Sequence, residues 1–393
     1  MGLIYSAIND LYRKQNLKGI PSEMANVIHR LRAGIKRLDT ANQKKNEKGR
    51  DGKAPIAKKF YCAIAKVMLT SRDHYAWSHL YSVLSWNLMC RTNNTAQINL
   101  EDIEWRQDHL LVYLNKTKTQ QEGENLNEHP LHVYANPETP EICPVLAIGL
   151  FFVRFGLTKP KPEDENKGHK LFGNGADVRY SKLFGRFLKE YWRKFEKFGF
   201  KRNHIGTHSF RKGASTYACS GSLIPTSYVA VCKRATWKIG YVQEKYLKFD
   251  ETQDRLIGRV VCGLPSDKPE FGILPPHFQY DESATAVEDL IYETMEHCLG
   301  DYLMNNPGTG AILNKCLASL IYHEKWLRDN IPSDDDIFNT YLFKTEGLID
   351  KLKNYVFCGL DSKEIETTGV PLHINYIQEI RDLRETLKNM TPN

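Results

Sequence analysis

Residues 207–217 read THSFRKGASTY and put His208, Arg211 and Lys212 within five positions. On a helix opening at Thr207, a residue suited to capping, His208, Arg211 and Ser215 share one face at separations of three and four. Phe210, Ala214, Tyr217 and Ala218 make a different face, suited to packing. The first turn of a helix carries unbonded N–H groups and partial positive charge, which suits it to an anion. A guanidinium fork matches two oxygens of a phosphate. The chemistry within reach is therefore phosphate binding. On this stretch alone a plainer reading stays open, with Arg211 paired to a core carboxylate and His208 capping a neighbour.

Other chemistry-bearing residues stand at a distance along the chain. Arg91 opens RTNNTAQINLEDIEW, directly after the apolar run SVLSWNLMC. Lys116 and Lys118 lie in NKTKTQQEG, a polar turn between two strand candidates. Trp237 and Tyr246 lie nine residues apart in ATWKIGYVQEKYLKF. Arg, Lys in a β-turn, HxxR, Trp and Tyr, in that order over residues 55–260, resemble the tyrosine recombinase (phage-integrase-type) superfamily. RTNNTAQINLEDI looks like that family's first-arginine box, with Arg91 eleven residues before Asp102. Within the superfamily, CPVLAIGLFF and SWNLMCRTNN are most similar to the Crypton-type eukaryotic transposon recombinases. Two positions depart from the pattern. Trp237 stands where many members have His, and Asn94 where an acidic residue often follows the first arginine.

The resemblance implies an α+β, mainly helical catalytic domain with a small antiparallel sheet. It also implies the roles. Tyr246 attacks a DNA phosphodiester and forms a 3′-phosphotyrosyl link that keeps the bond energy for rejoining. Arg91 and Arg211 hold the non-bridging oxygens, Lys118 protonates the departing 5′-oxygen, and His208 hydrogen-bonds the phosphate or takes the tyrosine proton. Trp237 offers its indole N–H and packs against the site. The catalytic set is thus Arg91, Lys118, His208, Arg211, Trp237 and Tyr246, with no cofactor and no metal. The implied partners are double-stranded DNA and further copies of the chain, a dimer or tetramer on DNA. Tyr241 and Tyr217 rival Tyr246 as nucleophile, and Lys116 rivals Lys118 as general acid. A rival function is a domesticated, non-cutting DNA-binding protein on the same fold; a third is a structural assembly protein.

The remaining sequence supplies the elements that must position these residues. SEMANVIHRLRAGIKRLDT (22–40) predicts an amphipathic helix capped by Ser22, with Met24, Val27, Ile28, Leu31, Ile35 and Leu38 as its apolar stripe. NQKKNEKGRDGKAP (42–55) lacks periodicity and predicts a linker. IAKKFYCAIAKVML and HYAWSHLYSVLSWNLMC predict core helices, and NLEDIEW, HLLVYLNKTK and HPLHVYA predict three short strands. CPVLAIGLFFVRFG predicts a buried helix; SKLFGRFLKEYWRKFEKFG predicts a basic one with aromatic residues. The prolines of GLPSDKPEFGILPPH mark a boundary, followed by helices. Tyr376, Ile380, Leu383, Leu387 and Met390 then alternate by four and three over two heptads. The expected organisation is a basic helical arm and linker (1–52), the catalytic domain (53–265) and an acidic helical domain (266–393). SDDDIF (333–338) reads as a helix N-terminus rather than a calcium loop.

Charge supports this division. Residues 266–393 hold 11 basic and 22 acidic side chains, whereas residues 1–265 hold 43 and 25. A basic body points to a polyanionic partner. The acidic part is expected to mediate protein contacts or to restrain the body until DNA displaces it. No apolar run approaches the ~20 residues needed to span a bilayer, and the N-terminus does not read as a signal peptide. Nine cysteines without a CxxC read as free thiols in a reducing compartment, hence an intracellular location; the resemblance to eukaryotic transposon recombinases implies a nuclear one. His204 and His208 lack the glutamate and cysteine neighbours of a zinc site, GNGADVRY lacks a Walker lysine, and no GxSxG elbow is present.

Overall fold

A computed structural model of the chain describes residues 9–15, 20–45, 52–71, 74–114, 129–156, 169–224, 226–237, 239–240, 246–281, 285–299 and 307–390. The chain divides into two compact units, residues 1–53 and 54–393.

The first unit contains helix α1 (Ser22–Lys45). Ser22 lies inside its first turn rather than capping it; the Ala25 N–H bonds to the Pro21 carbonyl at 2.9 Å. The helix continues into the segment expected to be linker, because Asn-Gln-Lys-Lys contains no breaker and Gln and Lys are good helix formers. Of the expected apolar stripe, Met24, Val27, Leu31, Ile35 and Leu38 are exposed and Ile28 is half-buried.

The second unit is mainly helical with a small antiparallel sheet. It begins with α2 (Lys58–Thr70), α3 (His74–Asn87) and α4 (Thr92–Ala96). Three strands follow, β1 (Ile103–Arg106), β2 (His109–Val112) and β3 (Leu131–Tyr134). Then come α5 (Pro144–Phe155), α6 (Ala176–Phe195), α7 (His208–Thr216), α8 (Tyr228–Arg234) and α9 (Glu251–Cys262). The C-terminal part holds β4 (His277–Phe278), α10 (Thr285–Leu299), α11 (Pro307–Tyr322), α12 (Glu324–Asn330), α13 (Tyr341–Lys344), α14 (Leu348–Lys353), β5 (Val356–Phe357) and α15 (Leu372–Met390).

Helix α3 is the axis of this unit. Every side chain from Tyr75 to Asn87 is buried, as expected of a helix that is apolar nearly all round. Helices α2, α5, α6, α7 and α9 pack on it. Its polar side chains find partners within the core: Ser82 meets the Tyr180 hydroxyl at 2.7 Å, Ser85 meets Thr95, and His79 Nε2 donates to the Glu141 carbonyl at 2.7 Å. The expected strands form one sheet in the order β1-β2-β3. Its register pairs Ile103 with Val112 and His109 with Tyr134. Helix α9 lies against β3 and α11 against β1.

The expected boundary at 265/266 falls inside this second unit. Helix α11 packs so closely on α5 that a methyl added at Gly149 would lie 3.2 Å from Cys316 Cβ. Arg154 on α5 pairs with Asp335 at 2.9 Å, while Asp335 also accepts the Ile337 N–H, a carboxylate at a helical N-terminus as SDDDIF predicts. Deepest of these ties is Asp108, between β1 and β2. It accepts from the guanidinium of Arg259 on α9 and from both the N–H (3.0 Å) and hydroxyl (2.6 Å) of Thr368. The Arg259 guanidinium stacks 4.3 Å over Tyr134 and donates to the Phe271 carbonyl. The acidic residues thus decorate a segment whose apolar residues complete a shared core. No helix among the described residues is long and apolar enough to cross a membrane.

Two outcomes are expected. Truncation at residue 265 abolishes cooperative unfolding, read by calorimetry, rather than yielding a better DNA binder, because it strips α11 from α5 and Thr368 from Asp108. Stability also falls on acidification. Burial pushes the His79 and His323 imidazoles down to about 4, so the unfolded state takes up protons first as pH drops below ~6.5. Each costs the fold on the order of 3 kcal/mol as pH falls from 7 towards 4. Burial pushes the Asp108 carboxyl up, but hydrogen bonds from His109, Arg259 and Thr368 outweigh it and hold the group below the usual carboxylate range, adding to acid sensitivity. The variant His79→Gln, which keeps the donor but not the titration, should show a shallower fall in Tm between pH 7 and 5.

Candidate functional site

Two helix ends deliver the first arginine and the tryptophan. Helix α3 stops at Asn87, and Met89 turns the chain with φ +49°. Arg91 then stands at the N-cap of α4, in extended conformation. Helix α8 ends in the same manner. The Trp237 N–H bonds to the Cys232 carbonyl at 2.8 Å and the Thr236 N–H to that of Lys233 at 2.9 Å. This is a Schellman closure, with Thr236 at φ +53° where glycine is usual. Left-handed conformations of a bulky and a β-branched residue are strained, and both stand within two residues of a candidate side chain.

Arg234, in the last turn of α8, binds these two ends together. It is 1% exposed. Its Nη2 donates to the carbonyls of Asn87, on the last turn of α3, and His132, on β3, at 2.9 Å each. Its Nη1 lies 2.6 Å from Asp254 of α9. Asp254 in turn accepts the His132 N–H and Nδ1 at 2.9 Å. Burial raises the Asp254 carboxyl, but the Arg234 charge and the His132 hydrogen bond prevail and hold it below the ordinary range.

Arg211 arrives on α7, which is pressed against its neighbours. A Cβ at Gly213 would lie 2.3 Å from the Ile56 carbonyl and 2.9 Å from the Trp86 ring. Thr207 has helical dihedrals and makes no side-chain cap, contrary to expectation; Ser209 Oγ instead accepts the Gly206 N–H. Phe210, Ala214 and Ala218 are buried as their spacing predicts, and Arg211 and Ser215 are buried with them. The Arg211 guanidinium donates through Nη2 to the carbonyl of Ala235, the C-cap of α8, and lies 5.4 Å from the centre of the Trp237 ring, a cation–π contact.

Arg91, Arg211 and Trp237 are therefore brought together. Burial, followed by the nearby Arg91 charge, pushes the Arg211 pKa down to about 10. Nη1 of each arginine is buried without a hydrogen-bond partner, and among the described residues neither arginine has a carboxylate partner. Arg91 is half-buried and Arg211 buried, whereas the fully buried guanidinium groups, Arg234 and Arg259, each meet an aspartate. Cys90 lies beside the cluster; burial lifts its thiol to about 12, against the pull of Arg211, Arg234 and Arg91, so it brings no negative charge. Two like charges with buried, unused donors are chemically suited to an anion.

His208 is exposed at the first residue of α7, one turn before Arg211. Tyr246 is described and 71% exposed. Lys118, its rival Lys116 and Tyr241 lie outside the described residues. Tyr217 packs its ring against Trp86 beneath Lys58, a packing role. On α6, Tyr180, Phe184, Phe187, Leu188 and Phe195 are core, while Lys182, Arg186, Lys189 and Arg193 are exposed. The residue missed in the sequence was Arg234. In CKRATWK it reads as one more surface cation, and only the buried carbonyls it reaches distinguish it. Among the described residues no group of three His, Cys, Asp or Glu side chains could hold a metal ion.

No family model and no curated protein matches this chain. Among solved structures it is similar to "FLP Recombinase-Holliday Junction Complex I", with a TM-score of 0.39 and 12% identity over 78% of this chain and 72% of that one. A likeness that shallow decides neither fold nor activity.

The like-charge pair generates a prediction. Arg91→Met relieves repulsion, so without added anion the variant should unfold about 1 kcal/mol harder than the parent. Inorganic phosphate should raise the Tm of the parent chain and leave that of Arg91→Met and Arg211→Met unchanged, as read by calorimetry against a chloride control of equal ionic strength.

Proposed function

We propose that the chain is a DNA strand-transfer enzyme of the tyrosine recombinase type, closest in kind to the Crypton-type transposon recombinases. The observation that carries this reading is the pairing of half-buried Arg91 with buried Arg211, whose Nη1 donors are unused and which have no counter-charge among the described residues. The contact of Arg211 with Trp237, and the position of Arg91 ahead of the HxxR helix in the chain, agree with the motif order of that superfamily.

In the proposed reaction Arg91 and Arg211 bind the two non-bridging oxygens of one phosphodiester. Charge grows on those oxygens as phosphorus becomes five-coordinate, and preorganised donors of this kind contribute on the order of 3 kcal/mol each to lowering the barrier. Tyr246 Oη attacks phosphorus and gives up its proton, with His208 as acceptor or as a further donor to the phosphate. The P–O5′ bond breaks, and Lys118 protonates the departing 5′-oxygen. The 3′-phosphotyrosyl ester is then attacked by a 5′-hydroxyl of another strand, which releases Tyr246. Trp237 stacks on Arg211 and keeps its fork in plane. The positive charge comes from side chains, so the scheme uses no metal. In this proposal residues 1–52 form a basic arm on DNA, residues 53–265 carry the catalytic machinery, and residues 266–393 brace it. Two or four copies assemble on the DNA.

The test is a nicked suicide duplex carrying the cognate site, in buffer with chelator. A covalent protein–DNA adduct should form and survive denaturation, and Tyr246→Phe should abolish it. Arg211→Lys should slow its formation by roughly a hundredfold or more. An adduct that persists in Tyr246→Phe and vanishes in Tyr241→Phe would reassign the nucleophile. Binding without any adduct would identify a non-cutting DNA-binding protein.

A further inference from the structure

Helix α15 has two apolar faces, and the body uses one of them. Ile374 is buried and Ile377 half-buried against Val260, Leu264 and Phe271, and Arg381 reaches Glu270 at 3.4 Å. About a third of a turn away run Tyr376, Ile380, Leu383, Leu387 and Met390, each between 50% and 72% exposed. Their spacing of four, three, four and three is a coiled-coil seam. The helix has 19 residues, hence about 28 Å of length.

We infer that this seam is where a second copy of the chain docks, forming a short, parallel, two-stranded coiled coil. Charge complementarity selects the partner and the direction. Glu379 and Arg384 flank the seam on opposite sides and lie five residues apart, the separation at which flanking residues of parallel strands meet. In a parallel pair each Glu379 faces the partner's Arg384, twice over by symmetry. In an antiparallel pair Glu379 meets Thr386 and Arg384 meets Ile377, and both ion pairs vanish. A β-branched residue at 380 followed by Leu383 favours two strands over three or four. Ile374 lies roughly 160° and Ile377 roughly 100° round the helix from the centre of the seam, so docking a copy leaves both in place.

The inference stands apart from the catalytic proposal, and its test needs no DNA. The full chain should sediment as a concentration-dependent dimer at equilibrium. Ile380→Glu with Leu383→Glu, both at exposed positions, should leave a monomer with unchanged Tm. Glu379→Arg alone and Arg384→Glu alone should each weaken the dimer, and the two together should restore it. A parent chain that stays monomeric at the highest concentration would overturn the inference. So would a dimer that survives the seam variant, and a charge swap that fails to restore association would overturn the parallel arrangement.

Discussion

A single buried guanidinium, that of Arg234, holds together the backbone from which the candidate site hangs. Its donors go to the last turn of α3 and to β3, and its charge to α9, while its own helix ends one residue on. Four elements distant in sequence are fixed to one planar fork. The segments leaving two of them carry Arg91 and Trp237. Because the fork is rigid, the spacing of those segments is set by bond geometry rather than by loose packing. The strained turns at Met89 and Thr236 are tolerable for the same reason, since the ends they connect are already held.

Against this frame the charges divide into two kinds. Arg234, Arg259 and Arg154 sit with aspartates, so their burial is offset by Coulomb attraction and satisfied donors. Among the described residues Arg91 and Arg211 have no such partner, and they repel each other. A chain selected for stability alone would have an acid there, or an apolar residue. Departure from the local rule at one place, surrounded by residues that obey it, is how a binding site differs from a structural ion pair.

Much of this was legible in the sequence because it depends on local pattern. An apolar run such as HYAWSHLYSVLSWN can only be interior, and short runs such as HLLVY and HPLHVY, separated by polar turns, pointed to the strands. The site was legible in part. Arg211 could be assigned to a helical first turn, but whether it meets a carboxylate is a tertiary fact that no spacing encodes. The boundary at 265 misled for a related reason. Prolines and a reversal of charge describe the surface of the following segment, whereas Thr368, Cys316 and Asp335 reach inward and are inconspicuous as letters. Thr207 looked like a cap because of its type, yet the hydrogen bond belongs to Ser209, two residues on. The unbroken Gln-Lys stretch carried α1 further than its charge pattern implied.

The long reach from Asp108 to Thr368 has a consequence for how the protein comes into being. Those partners are 260 positions apart, and the carboxylate also holds Arg259. A chain growing on the ribosome exposes the sheet, α3 and α5 well before the segment that closes over them has been made. Folding of this unit is therefore deferred until synthesis has passed residue 368, and the emerging polypeptide spends that interval with apolar helices uncovered. The site proposed at Arg91 and Arg211 is thereby expected to become competent only once residue 368 has joined the core.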